Sequence, residues 1–309
     1  MEIIIIGGCG FIGTNLSKKL VGMGYDVLVV DRNDCLPEDY PVSVDYSKCD
    51  FVSGEGLEDV ISEDSVVIHL VSTSVPNSSN MHILEDAMNN IIPSVRLIDI
   101  CAKKKVRKLV YSSSGGQIYG IPNTLPINEH HETNPQSAYG IQKLAIEKYM
   151  QLYKKMYGLN IAIMRIANPY GHGQQPYRGQ GVIATFLASA FEGREIEIWG
   201  DGTSVRDYIY IDDLMDAFLK VIKYDGDEEI FNIGSGIGTS VNAILEDIEA
   251  ITDKTINKRY IPIKTENINA NVLDCEKAYS ELGWRAYTPI YEGIKNMAQF
   301  WNFEKRKFD

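Results

Sequence analysis

The sequence predicts an α/β protein built on a doubly wound parallel sheet, with a smaller C-terminal α/β domain closing over the sheet's carboxyl edge. Three observations predict it. Short, almost wholly apolar runs at 2–6, 26–30, 65–70, 108–111 and 159–165 lack the alternation of a half-exposed strand, so both faces must be covered. Stretches with helical spacing separate several of these runs. The segment GGCGFIG (7–13) sits where the first strand meets the first helix, which is the Rossmann-type arrangement.

Taken in order, residues 2–6 form a β-branched strand ending in glycines, and 15–24 read as a helix stopped by Gly24. Residues 26–30 and 65–70 are the next clear strands, and 90–104 form an amphipathic helix. The strand at 108–111 runs into YSSSGGQIYG (111–120), where an apolar run ends in hydroxyls and bare backbone. After the strand at 159–165 the composition shifts. Residues 168–182 (NPYGHGQQPYRGQGV) read as a long functional loop, and Asp212 and Asp213 as caps of the helix that follows. The expected division is 1–168 with 207–237 as the dinucleotide domain, and 169–206 with 238–309 as the substrate domain.

Bulk properties narrow the function. Thirty Lys and Arg stand against 42 Asp and Glu, a net charge of −12 with no basic run beyond 103–105, so no nucleic-acid partner is expected. No apolar stretch approaches the ~18–20 residues of a membrane helix, so no membrane partner is expected either. Five cysteines without CxxC spacing read as free thiols in a reducing, cytoplasmic setting. The scattered histidines suggest no metal.

Within GGCGFIG, Gly7 allows the tight turn, Gly10 allows close approach of a pyrophosphate, and Gly13 lets the helix pack on the strand. Phe11 and Ile12 open the helix, whose free N–H groups suit phosphate. Asp31 follows 18 residues beyond Gly13, where a carboxylate accepts from a ribose 2′-hydroxyl and repels a 2′-phosphate. NAD is therefore the expected cofactor, with Arg32 the feature that would welcome NADP. Asp50 and Phe51 are candidates to hold the adenine amino group, beside the alternative of an ordinary surface-loop charge.

Tyr139-Gly-Ile-Gln-Lys143 places a phenol and an ammonium one turn apart on a helix face. The cation is expected to lower the phenol from its ordinary ~10 and make it a general base. The serines of the 108–111 strand lie about 25 residues upstream and complete a catalytic constellation.

With GGCGFIG stand VIHLVS (67–72), SSSGGQIYG (112–120), YGIQK (139–143), RIANPYGHGQ (165–174), WGDGTSVRDYIYIDDL (199–214) and ELGW (281–284). On these motifs, which span nearly the whole chain, the protein resembles the extended short-chain dehydrogenases/reductases of the NAD-dependent epimerase/dehydratase family, in particular the UDP-sugar 4-epimerases. The resemblance implies Tyr139 and Lys143 as catalytic residues. It implies Ser114 or Ser113, with Gln117 as an aid, in place of a hydroxyl that many relatives carry at the position of Gly115. It adds Leu70, Asn90 and Lys143 to the cofactor site. On the substrate side it implies Arg206 for the pyrophosphate, Trp199 for the uracil, and Asn168 and Val182 for the sugar nucleotide. Lys264 would make a second phosphate contact, and Asn271 would leave room for an N-acetyl group. A UDP-hexose substrate and a homodimer through the helices near 90–104 and 139–157 follow as expectations. The implied reaction is reversible C4 epimerisation. The alternatives are a 4-ketoreductase, a dehydratase, a uronate-acting epimerase or decarboxylase, and a non-catalytic dinucleotide-binding protein. Gly116-Gln117 stands where dehydratases carry an Asp-Glu pair, which counts against that branch.

Overall fold

The computed structural model describes residues 1–37, 40–177, 181–262 and 268–305. β1 (Glu2–Ile6) buries Ile3 through Ile6 completely or nearly so, as its unbroken β-branched run requires. α1 (Phe11–Gly22) begins four residues earlier than its spacing suggests, because Gly10 is its N-cap and glycines blur the helical pattern over the first turn. β2 (Asp26–Asp31), β3 (Asp45–Lys48), the single turn α2 (Leu57–Val60) and β4 (Val66–His69) follow.

After a second single turn, α3 (Pro76–Ser79), comes α4 (Ile83–Lys104), which starts well before residue 90. Pro93 resembles a first-turn proline in the sequence, yet it lies buried in mid-helix. β5 (Lys108–Ser114), α5 (Ala138–Tyr157) and β6 (Ile161–Ile166) complete this half.

The chain then leaves the sheet and returns. β7 (Asn168–Tyr170), α6 (Val182–Glu192), β8 (Ile196–Trp199) and β9 (Val205–Tyr210) precede α7 (Ile211–Lys223), which packs on α1 with Lys19 Nζ 2.8 Å from Asp216. β10 (Ile230–Ile233) rejoins the first sheet. β11 (Gly238–Ser240), α8 (Val241–Thr252), β12 (Lys258–Ile261), β13 (Ala270–Asn271), α9 (Glu276–Leu282) and α10 (Ile290–Lys305) finish the described chain.

The main sheet runs β10-β6-β5-β4-β1-β2-β3, parallel at every pairing. One face is covered by a cluster that takes in Leu16, Leu20, Leu214 and Phe218 of α1 and α7. The other is covered by Leu97, Cys101, Ile146 and Met150 of α4 and α5. The order of connection reverses between β1 and β4, which opens a crevice at the carboxyl ends there. A second sheet, β11-β9-β13 with β7 also on β9, and the pair β8–β12 stand beside that edge.

Two buried groups tie the halves of the chain together. Lys108 donates its ammonium to the carbonyls of Val221 (3.0 Å) and Tyr224, which satisfies the C-terminal end of α7. Asp213 sits in the first turn of α7, but its carboxylate accepts from the Thr288 N–H (3.0 Å) and hydroxyl (3.1 Å). It anchors the C-terminal segment instead of capping its own helix. Among the described residues, no helix is long and apolar enough to cross a membrane.

Candidate active site

The glycine loop occupies the crevice. Gly7 has φ +86°, and a Cβ there would lie 2.8 Å from the Val71 side chain. A Cβ on Gly13 would meet the Gly8 carbonyl oxygen at 2.4 Å, so the helix approaches the loop more closely than any side chain permits. Gly10 is different. A Cβ there would meet only the Gly7 carbonyl at 3.5 Å, and no side chain caps α1. Open backbone at a helix N-terminus fits the pyrophosphate of a dinucleotide. Asp31 closes the loop by accepting from Cys9 N (2.9 Å) and Arg32 N (2.8 Å), and Arg32 itself is exposed.

The remaining dinucleotide candidates divide. Asp50 is exposed and accepts from Val52 N (3.0 Å), whereas Phe51 is buried with its ring 4.9 Å from that of His69. Leu70 is half-buried at the end of β4. Asn90 ties α4 to the loop after β4, accepting from Thr73 N (2.8 Å) and donating to the Thr73 hydroxyl (2.8 Å).

Tyr139 lies in the first turn of α5, whose N–H groups are fully accounted for. Asn80 Oδ1 accepts from Ala138 N (2.8 Å), Ser79 Oγ from Tyr139 N (3.1 Å), and the N-cap Ser137 Oγ from Gly140 N (3.1 Å). Lys143 is buried and donates to the Ser112 carbonyl (2.8 Å), which fastens α5 to β5. Its Nζ is 5.6 Å from the Tyr139 ring centroid. Burial pushes the Tyr139 phenol up to about 12, and the Asp86 carboxylate adds to the rise. Desolvation thus acts on this phenol in the direction opposite to the lowering expected of Lys143. Burial brings Lys143 itself down to about 8, opposed by Glu147 and Asp86.

The two serines separate by strand alternation. Ser113 shares a face with Tyr111 and donates to Glu147, whose carboxylate takes a bidentate fork from Arg165 (Nη2 2.7 Å). That serine is engaged with a buried ion pair between β5, β6 and α5. Ser114 points the other way, and among the described residues its hydroxyl makes no hydrogen bond. A Cβ on Gly116 would lie 4.0 Å from Ser114 Oγ and 3.9 Å from Asn168 Oδ1, so both polar atoms border one open spot. Gly115 is not a lost hydroxyl: a Cβ there would strike Leu273 at 2.5 Å. Gln117 is turned away from this spot, accepting from the Ser137 hydroxyl (3.1 Å).

On the second sheet, Arg206 is half-buried and donates to the Val205 carbonyl (2.8 Å), with no carboxylate partner among the described residues. Burial lowers its pKa. Its neighbour Asp207 faces the opposite way, gathering Ser235 N (2.8 Å), Gly236 N (3.1 Å) and Leu273 N (3.3 Å). Trp199 ends β8 with 65% of its surface exposed. Asn168 donates to the Asp207 carbonyl (2.8 Å), and Val182 opens α6. Asn271 donates to the Gly115 carbonyl (3.2 Å), while its buried Oδ1 has no partner among the described residues. Lys264 lies outside the described residues.

Sequence reasoning missed Asp86, a buried carboxylate beside Tyr139 and Lys143, and Ser79 and Asn80, at the end of α3 and just past it, which hold the first turn of α5. None of these stands at a fixed spacing from YGIQK, so no local pattern announces them.

Comparison with known proteins shows the family. The model of the NAD dependent epimerase/dehydratase family matches residues 3–234. The chain is 31% identical to a UDP-glucose 4-epimerase of Mycolicibacterium smegmatis, covering 97% of this chain and 98% of that protein. It is 34% identical to a dTDP-4-dehydro-6-deoxyglucose reductase of Escherichia coli, covering 96% of each. Among solved structures, UDP-glucose 4-epimerase of Thermotoga maritima with UDP-glucose superposes with a TM-score of 0.93 at 34% identity, covering 99% of this chain and all of that one.

Proposed function

The chain belongs to the NAD dependent epimerase/dehydratase family, and from that premise we propose that it reversibly inverts C4 of a UDP-hexose. Three observations carry this reading: the Tyr139–Lys143 pair on α5, a Ser114 hydroxyl that borders one open spot with Asn168 Oδ1 and makes no hydrogen bond among the described residues, and an Arg206 guanidinium with no carboxylate partner among the described residues. A chemistry that deprotonates an alcohol of a diphosphate-bearing ligand needs all three.

NAD, when bound, supplies a hydride acceptor that returns the hydride it has taken. Gly7, Gly10, Phe11, Ile12 and Gly13 hold its pyrophosphate, Asp31 its ribose, and Lys143 offers its spare N–H groups on the nicotinamide side. Tyr139 takes the proton of the 4-hydroxyl and gives it back. Ser114 hydrogen-bonds the same oxygen, and Asn168 orients the sugar beside it. Arg206 clamps the diphosphate, Trp199 covers the base, and Val182 closes the side of the pocket. Asn271, small and buried under Gly115, leaves space for a C2 substituent, so N-acetylhexosamines join the hexoses as substrates. The dinucleotide unit comprises 1–168 with 207–237, and the sugar-nucleotide unit 169–206 with 238–309.

The protein acts as a homodimer through α4 and α5. Ile83, Leu84, Met88 and Ile92 of α4, with Leu152 and Met156 of α5, are exposed apolar side chains on two adjacent helices. Incubation of the purified protein with UDP-hexoses, UDP-N-acetylhexosamines and UDP-uronates, without added cofactor and with product sugars identified, tests the reaction. Interconversion of C4 epimers supports it, and its absence across the panel refutes it.

A second reading is a 4-ketoreductase, favoured by the exposed Arg32 beside the ribose site and by the similarity to the E. coli reductase. Stoichiometric oxidation of NADPH by a 4-keto sugar nucleotide selects it.

A further inference from the structure

Lys143 is a buried ammonium with little conventional support. It has three N–H donors and one acceptor among the described residues, the Ser112 carbonyl at 2.8 Å. The nearest carboxylate on its own helix, Glu147, is consumed by the fork of Arg165 and by Ser113. What lies against the charge instead is aromatic. The ammonium sits 4.9 Å from the centroid of Tyr111, closer than to Tyr139 at 5.6 Å.

The Tyr111 ring is held from behind. It packs on the His69 ring at 5.1 Å, and His69 packs on Phe51 at 4.9 Å and hydrogen-bonds Ser94 Oγ at 2.8 Å. Among the described residues the buried Tyr111 hydroxyl has no partner, so the side chain's polar end contributes no hydrogen bond there. A tyrosine whose buried hydroxyl meets no partner gains nothing from that hydroxyl and is placed for its face.

We propose that Tyr111 is a positioning residue for the reaction, its ring face holding the Lys143 ammonium in place and in its charged form through a cation–π contact. The charged and titratable groups around that ammonium are Asp86 from α4, Glu147 and Tyr139 from α5, Arg165 from β6 and His69 from β4. Asp86 and Glu147 favour the charge, and burial opposes it. His69 is kept neutral, its pKa pushed down to about 3 by burial and by Lys143. A desolvated ring–cation contact is worth enough to move the balance by about one pH unit or more.

The test is titration of Lys143 in the full-length protein labelled with [ε-13C]lysine, the signal assigned by its loss in Lys143→Met. Tyr111→Leu removes the ring and should lower the midpoint by about one pH unit. Tyr111→Phe keeps the face, discards only the orphan hydroxyl, and should titrate like the parent. Should the leucine variant fail to fold, Phe, trifluoro-Phe and pentafluoro-Phe at position 111 preserve shape while draining the ring face, and the midpoint should fall along that series. An unchanged midpoint in the leucine variant or along the fluorinated series would overturn the proposal, as would Phe shifting as far as Leu. This readout needs no sugar, so it stands apart from the outcome of the substrate panel. In turnover, the leucine variant should lose kcat with KM little changed, and the phenylalanine variant should retain it.

Discussion

Lys143 Nζ lies 5.6 Å from the centre of the Tyr139 ring, and burial drives the two titrations apart, the ammonium down to about 8 and the phenol up to about 12. The pair is thus electrostatically costly in the free fold, as reactive sites commonly are.

Stability should carry that signature. Lys143 is depressed from 10.5 to about 8, so between those values the unfolded chain holds a proton that the folded chain has released, and stability rises with pH. Tyr139 is raised from 10 to about 12, so above about 10 the folded chain keeps a proton the unfolded chain has lost, and stability falls again. Urea unfolding of the parent and Lys143→Met at about pH 7 and about pH 10 measures the first effect. The parent should gain roughly 1–3 kcal/mol on the variant over that interval.

Ser113 and Ser114 should fail differently. Ser114→Ala is expected to cut kcat by about 10- to 1,000-fold with stability unchanged, since its hydroxyl engages no described residue. Ser113→Ala should leave kcat near the parent value and cost about 1–3 kcal/mol, because Glu147 loses a buried donor. Steady-state kinetics beside thermal melts separate them; equal kinetic losses would refute the assignment.

Placing a hydroxyl at position 115 should not help catalysis. Gly115→Ser drives a Cβ to 2.5 Å from Leu273 and 3.0 Å from the Arg165 carbonyl. The expected outcome is a loss of roughly 1–3 kcal/mol with no rise in kcat. Pairing it with Leu273→Ala should return part of the stability.

Arg206→Ala should raise the KM for a UDP-sugar by about 10- to 100-fold while NAD stays bound. Arg206→Lys should restore only part of the affinity, since a point charge replaces a fork. In the parent, UDP alone should raise the melting temperature more than in either variant.

Much of the fold is legible because parallel strands buried on both faces carry a mostly apolar run, as β1, β2, β4, β5 and β6 do. β3, with the sequence Asp45-Tyr-Ser-Lys48, lies at the sheet's edge and carries no such run, so the sequence places a third strand region before Asp50 without fixing its bounds. α4 was shortened because Pro93 resembles a first-turn proline, and only packing reveals that the helix continues before it. In the site, spacing exposes what one helix or one turn fixes by itself, as with the glycines and the Tyr139–Lys143 pair. It is silent on which way Ser113 and Ser114 face, since that depends on the partner Glu147 across the β5–α5 layer. It is equally silent on Asp86, which reaches the pair from a different helix.

Ser79 and Asn80 grip the first turn of α5 from the chain that descends from β4, and the end of β4 also abuts Gly7 through Val71. The reactive phenol and the dinucleotide loop thus hang from one rigid bracket at the reversal of strand order. Under the proposed reaction, the spacing between Tyr139 and the glycine loop is therefore fixed by the segment that leaves β4, which touches both.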